Sequence, residues 1–188
     1  MPAPKMTRDE AIDRLATVFR AHGYDGSSLS IVAEATGLGR ASLYHHFPGG
    51  KDEMVREVFR RIGARVDAEI LSPLAGPGAP EERLARWARG LERFYACGRE
   101  NCLLGALVLG GGAERFPDEL AASFKALIGT LARTLAAAGL SKGAARRRAE
   151  DAISRVQGSL VVARGLGDPG VFQRTVRALP RQLLAPEG

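Results

Sequence analysis

Between Thr7 and Leu184 the apolar residues recur at intervals of three and four, and nowhere do they alternate for long enough to make a strand. That spacing belongs to helices that bury one face, so the chain is restricted to an all-α fold. Glycines and prolines cut the pattern into about nine segments. In the first, 7–22, Thr7 and Glu10 have the spacing of a capping box, Ile12, Leu15, Ala16 and Phe19 share a face, and Gly23 stands where a C-terminal cap belongs. Two short helices follow, 29–36 opened by Ser28 and 40–47 after a tight turn at Leu38-Gly39. A long helix over 51–71 is expected next, with Asp52 and Glu53 in its first turn, and "SPLAGPGAP" (72–80) reads as a loop. The remaining helices are expected over 81–96, 102–109 (ended by Gly110-Gly111-Gly112), 117–138, 143–165 and 169–184.

A chain of 188 residues with 45% apolar side chains can bury a sizeable core. No apolar run approaches the roughly 20 residues of a membrane span, and the start "MPAPKMTRDE" has no apolar segment of the secretory kind. Two cysteines do not make a disulfide framework. A cytoplasmic protein with no membrane partner is therefore expected. The net charge of +6 suggests an acidic partner, but its position argues otherwise. Residues 1–60 carry eight basic and eight acidic side chains, and the whole surplus lies in 61–188. Any nucleic-acid site at the front must rest on the placement of individual residues.

The stretch "GLGRASLYHHFPGGK", 37–51, supplies that placement. Leu43 and Phe47 are four apart and point inward, which turns Ala41, Ser42, Tyr44 and His45 outward and leaves His46 at the edge of the buried face. Three short helices with a tight turn before the third match a helix-turn-helix, whose third helix enters the major groove. Arg40 and Ser42 can hydrogen-bond base edges, and Ala41 can touch a thymine methyl. Tyr44, His45, His46 and Lys51 can donate to phosphates, as can the amides at the helix start capped by Ser28. A metal site is disfavoured. Adjacent histidines point about 100° apart on a helix, and no Cys, Asp or Glu lies within the third helix to complete a ligand set. No cofactor is expected.

These residues carry a family resemblance. "Ser28-Leu29 … Ala33 … Gly37-Leu38-Gly39-Arg40-Ala41-Ser42-Leu43-Tyr44-His45-His46-Phe47 … Lys51" resembles the DNA-binding domain of the TetR family of bacterial repressors. "FPGGK" and "NCLLGAL" resemble the branch named for the lincomycin-resistance repressor. One departure is Ile31, where the family often has an acid that completes a capping box. The resemblance implies phosphate contacts from Ser28, Tyr44, His46 and Lys51, with His45 beside them, and base reading by Arg40, Ala41 and Ser42. It implies a DNA-binding domain over 1–58 and a helical ligand-binding and dimerisation domain over 59–188.

The implied function is a transcriptional repressor, a homodimer on a palindromic double-stranded operator, released by a small-molecule effector. Aromatics cluster in helices five to seven, and an apolar ligand site lined by Trp87, Leu91, Phe94, Leu104, Leu107 and Phe124 is expected there. Few acids fall nearby in sequence, so a neutral or weakly anionic planar compound suits it better than a cation. In this family the last two helices pair across a two-fold axis. Ile153, Val156, Leu160 and Ala163, at helical spacing with Gly158 and Ser159 among them, are the expected interface. An alternative is a redox- or electrophile-responsive regulator using Cys97 and Cys102. An enzyme is not expected, because no Ser-His-Asp set, carboxylate pair or phosphate-cradling loop is suitably placed.

Overall fold

The computed structural model describes residues 6–186. The first five residues of the charged start, and the last two of the chain, lie outside it. Among the described residues there are nine helices and no strand, counting as one each helix that runs on through a π turn. They are α1 (Arg8–His22), α2 (Leu29–Thr36), α3 (Arg40–His46), α4 (Gly50–Val66, continued by Asp67–Leu71 and Ser72–Ala75), α5 (Pro80–Phe94), α6 (Leu103–Leu107, continued by Val108–Gly112), α7 (Pro117–Ala137), α8 (Lys142–Leu166) and α9 (Gly170–Leu184).

Local chemistry sets these boundaries. Thr7 and Glu10 form the capping box reciprocally, and Ser28 Oγ accepts from Ile31 N at 3.3 Å. The α2 cap therefore forms without the family's acid. Gly37, left-handed, closes α2 by donating to the carbonyls of Ala33 and Glu34. Ser141 caps α8 through Ala144 N, a signal present in the sequence but not singled out there.

One expected loop is a helix. Of 72–80, Ser72–Ala75 continue α4 and Pro80 is already the first residue of α5. The preceding turn Asp67–Leu71 widens to π geometry, so that Ser72 N–H reaches Asp67 O. This moves the ladder along by one residue just before Pro73, which has no N–H to give. Leu74 is fully buried and its carbonyl accepts from Thr134 Oγ1 at 3.1 Å, so packing holds the extra turn in place.

The chain divides into two compact units. The first comprises the chain as far as Ala64 together with Leu103–Leu120. Its core is Ile12, Leu15 and Phe19 of α1, Val32 of α2, Leu43 and Phe47 of α3, and Met54, Val55 and Val58 of α4. Phe116 joins them, edge-on to Tyr24 at 5.6 Å. The three glycines that close α6 do more than end a helix. Gly110 O accepts from Asp25 N at 2.8 Å, and a side chain on Gly23 would come within 2.7 Å of Ala106 O and 2.8 Å of Gly110 Cα. Two backbones meet there with no room for a Cβ on either.

The second unit comprises Arg65–Cys102 and the chain from Ala121 onward. Trp87, Leu91 and Phe94 of α5 are buried, as are Phe172, Val176 and Leu179 of α9. Tyr95 stands edge-on between Phe94 (4.9 Å) and Phe172 (5.7 Å). Gly90 lies where α5 crosses the π turn, and a Cβ on it would overlap the carbonyl oxygen of Glu69. By length and composition α7 meets the requirement for a membrane span. Leu127, Thr130, Leu131, Thr134 and Leu135 bury one side of it, as in the core helix of a packed unit.

The second unit also contains the residues expected at a dimer face. Ile153, Val156, Leu160 and Ala163 are 7%, 2%, 4% and 2% exposed within the single chain. Their side chains are already used in the unit's own core and offer no surface to a partner. The outward apolar residues of α8 are Val161, Val162 and Leu166, with Gly158 and Gly165 exposed among them. Helical spacing identifies a face that packs. It does not say whether the face packs within the chain or against another one.

Candidate nucleic-acid interface

The seven residues of α3 are held by two anchors. Leu43 and Phe47 are 1% and 0% exposed. With those fixed, helix geometry turns Arg40, Ala41, Ser42, Tyr44 and His45 to solvent and leaves His46 half-buried. Tyr44 is 48% exposed, a large ring standing in water with no core role. Ser42, His45, His46 and Ala41 line an open cleft with Met6 and Arg14 from the α1 side and Thr36–Leu38 from the turn. All the residues expected to read bases, and all those expected to hold phosphates, are therefore exposed or half-exposed in the first unit.

Lys51 is half-buried and already engaged. Its ammonium donates to Tyr24 O at 3.0 Å and lies 3.9 Å from the centre of the Tyr24 ring. Tyr24 Oη donates in turn to Asp52, which also accepts from Arg115 Nη1 at 3.1 Å. Burial, then the bond to Asp52, pushes the Tyr24 hydroxyl up to about 12, so it stays a donor at any physiological pH. The Tyr24 hydroxyl, with Arg115 beside it, holds the Asp52 carboxyl below its ordinary value. Together these contacts tie the end of α1, the start of α4 and the α6–α7 connection.

A second set of contacts fixes the C-terminal end of α3. Arg8 lies over the Phe47 ring at 5.1 Å and donates through Nε to His46 O at 3.2 Å. Its Nη2 lies 3.1 Å from Glu53 Oε1 and 3.3 Å from Glu57 Oε1. Glu53 also accepts from Gly49 N at 2.7 Å, capping α4. The Glu57 carboxyl is held below its ordinary value by Arg60 first and Arg8 second. Neither Arg8 nor Arg115 was evident as a contributor from the sequence, because both act through partners about 40 or more positions away.

Of the residues expected to line a ligand site, Trp87, Leu91 and Phe94 are buried in the second unit and Phe124 is half-buried there. Leu104 and Leu107 belong to the first unit, the former half-buried and the latter fully buried. Cys97 is half-exposed in a turn where it and Ala96 both have positive φ, +56° and +46°. Cys102 is buried, and its Sγ faces two donors, Tyr95 Oη at 3.4 Å and Gln157 Nε2 at 3.3 Å.

Residues 11–58 match the family model of bacterial regulatory proteins, tetR family. The sequence is 24% identical over 91 residues to the HTH-type transcriptional regulator LmrA of Bacillus subtilis, 48% of each chain, so the match spans about half the length of that relative. A TetR transcriptional regulator from Legionella pneumophila has the same fold, with a TM-score of 0.80 at 20% identity over 96% of this chain and 99% of that one. So does the TetR family regulator CifR, solved in complex with double-strand operator DNA, with a TM-score of 0.74 at 23% identity over 96% and 98%. The matched stretch is the one whose outward residues were derived above, and the fold likeness runs the length of the chain. Residues 11–58 are thus a regulatory domain of the tetR-family type, and the chain as a whole has the fold of TetR-family transcriptional regulators.

Proposed function

We propose that this protein is a repressor that binds a palindromic operator as a homodimer and is released by a small apolar or aromatic ligand. The observation that carries the reading is α3 itself, a short helix pinned by Leu43 and Phe47 whose other side chains are base- and phosphate-binding types facing solvent. In this reading Arg40, Ala41 and Ser42 meet base edges. Ser28, Tyr44, His45, His46 and Lys51 meet phosphates. Lys51 has one of its three donors committed to Tyr24 O and keeps two for a phosphate. The second copy is placed on the exposed strip Gly158, Val161, Val162, Gly165 and Leu166 of α8, where the glycines let another helix come close.

The direct test is binding to the intergenic DNA beside the gene. Arg40→Ala is expected to lower operator affinity by about 1–3 kcal/mol and relax the sequence preference. Lys51→Ala is expected to weaken binding to all sequences and flatten the salt dependence. Unchanged preference in Arg40→Ala would remove α3 from the role of reader.

The effector is assigned to the second unit, where Trp87, Leu91, Phe94 and Phe124 provide apolar and aromatic surface. Trp87 is the only tryptophan, so a bound aromatic compound should quench its fluorescence. The same compound should raise the protein concentration needed to shift operator DNA, and operator should weaken its binding by an equal factor. The two donors facing Cys102 Sγ favour a second reading, in which a thiol-reactive compound is the signal. If release from DNA disappears in Cys102→Ser while Trp87 quenching by aromatic compounds never alters operator affinity, that second reading replaces the first.

A further inference from the structure

His45 and His46 are adjacent on the exposed side of α3, their ring centroids 5.7 Å apart and their planes at 72°. His45 is exposed, and His46 is half-exposed with its ring 6.3 Å from Phe47. Both border the open cleft between α1 and α3, so both can reach a polyanion lying against that face. Imidazole is the side chain that changes charge within the physiological range. The protonated ring offers two N–H donors and a full charge to a phosphate, whereas the neutral ring offers one donor and no charge.

The charged groups on the surrounding elements decide whether a phosphate would be the main partner of these rings. From α1 the cleft receives Arg14, and Arg8 donates to the backbone of His46. Arg40 opens α3. Glu34 of α2 is exposed to solvent, whereas the carboxylates of α1 and of the start of α4 are engaged with other groups. Glu53 and Glu57 are paired with Arg8, and Asp9 and Asp13 with Arg61. Glu10 caps α1 at Thr7, and Asp52 is bound by Tyr24 and Arg115. The third histidine, His22, lies in the last turn of α1.

We propose that DNA binding by this protein is proton-linked through His45 and His46, so that the reading head grips the phosphate backbone more tightly, and with more ion release, as pH falls. This rests on α3 being the DNA-facing helix. The sign follows from linkage. A phosphate stabilises the charged ring over the neutral one, so the bound state holds more protons. The extra affinity is fully present below the imidazole range and is lost as pH rises through it. The two heads of a dimer would carry four such rings, which makes the response steeper than one histidine gives.

The readout is the salt slope, because each added cation on a phosphate steepens the fall of log K with log salt by about 0.9. Anisotropy titrations of the full chain with a labelled mixed-sequence duplex, over a KCl series at about pH 6 and about pH 8, bracket the imidazole range. The slope is expected to be steeper at the lower pH by about 0.9 for each ring engaged. In the His45→Gln/His46→Gln double variant the slope should no longer differ between the two pH values, and each single variant should lose part of the difference. His22→Gln should behave as the parent protein. A parent slope that is the same at both pH values, or a difference that survives in the double variant, overturns the proposal while leaving α3 as the reader. Failure of the parent protein to bind duplex at either pH overturns the reading of α3 and this proposal with it.

Discussion

Leu160→Glu is expected to destabilise the second unit severely, whereas Val162→Glu, two positions along the same helix, is expected to leave it folded and turn the proposed dimer into monomers. Leu160 is 4% exposed and Val162 47%. A carboxylate at 160 would enter an apolar core with no counter-ion, a cost of about 3–5 kcal/mol if it stays charged. That is a large share of the roughly 5–15 kcal/mol that holds an ordinary domain together. At 162 the carboxylate stays in water in the single chain and meets an apolar partner only when a second copy docks. The expected result is a much lowered melting temperature for the first variant. For the second, the melting temperature extrapolated to low concentration should be close to the parent's, with a halved mass in sedimentation. A dimer that persists in both Val162→Glu and Leu166→Glu would take α8 out of the interface.

Gly90→Ala is the second change expected to be costly, although it adds a single methyl group to a helix and alanine is the better helix former. The gain in propensity is about 1 kcal/mol. Against it stands a Cβ that cannot coexist with the Glu69 carbonyl in its present position. Glu69 is part of the π turn between α4 proper and Ser72–Ala75, so it cannot move away without disturbing the buried Leu74. Overpacking against backbone costs about 1–3 kcal/mol or more, and the net change should be destabilising. Thermal denaturation should show a drop of about 2–8 °C for a chain of this size. A rise would mean that the two segments separate more easily than their packing suggests.

The helices themselves were legible because their ends carry their own chemistry. Thr7 with Glu10, Ser28, Gly37 and Pro117 act within a few residues of their position, so spacing alone reveals them. The outward face of α3 was legible for the same reason, since Leu43 and Phe47 fix its rotation. What spacing could not reveal depends on distant partners. Nothing near 72–80 announces that Leu74 will be buried and its carbonyl held by Thr134, so three prolines and two glycines read as a loop. Nothing near Lys51 announces the Tyr24 carbonyl and ring that receive it. The buried stripe of α8 was legible but its neighbour was not, because a stripe of Ile153, Val156 and Leu160 reads the same whether it meets its own chain, where these side chains are buried, or another.

The first unit is not one continuous length of chain, and this affects its assembly during synthesis. The polypeptide leaves the unit after Ala64 and returns with Leu103–Leu120, bringing Gly110 against Gly23, Phe116 against Tyr24 and Arg115 against Asp52. Domains that fold as they leave the ribosome usually close from the N-terminus forward. Here α1 to α4 must wait for more than fifty further residues before the segment that covers them has been made. At ordinary elongation rates that wait lasts on the order of several seconds. Tyr24 and Phe59 would spend it without Phe116, and the nascent reading head, though its helices have formed, would still be an unfinished core.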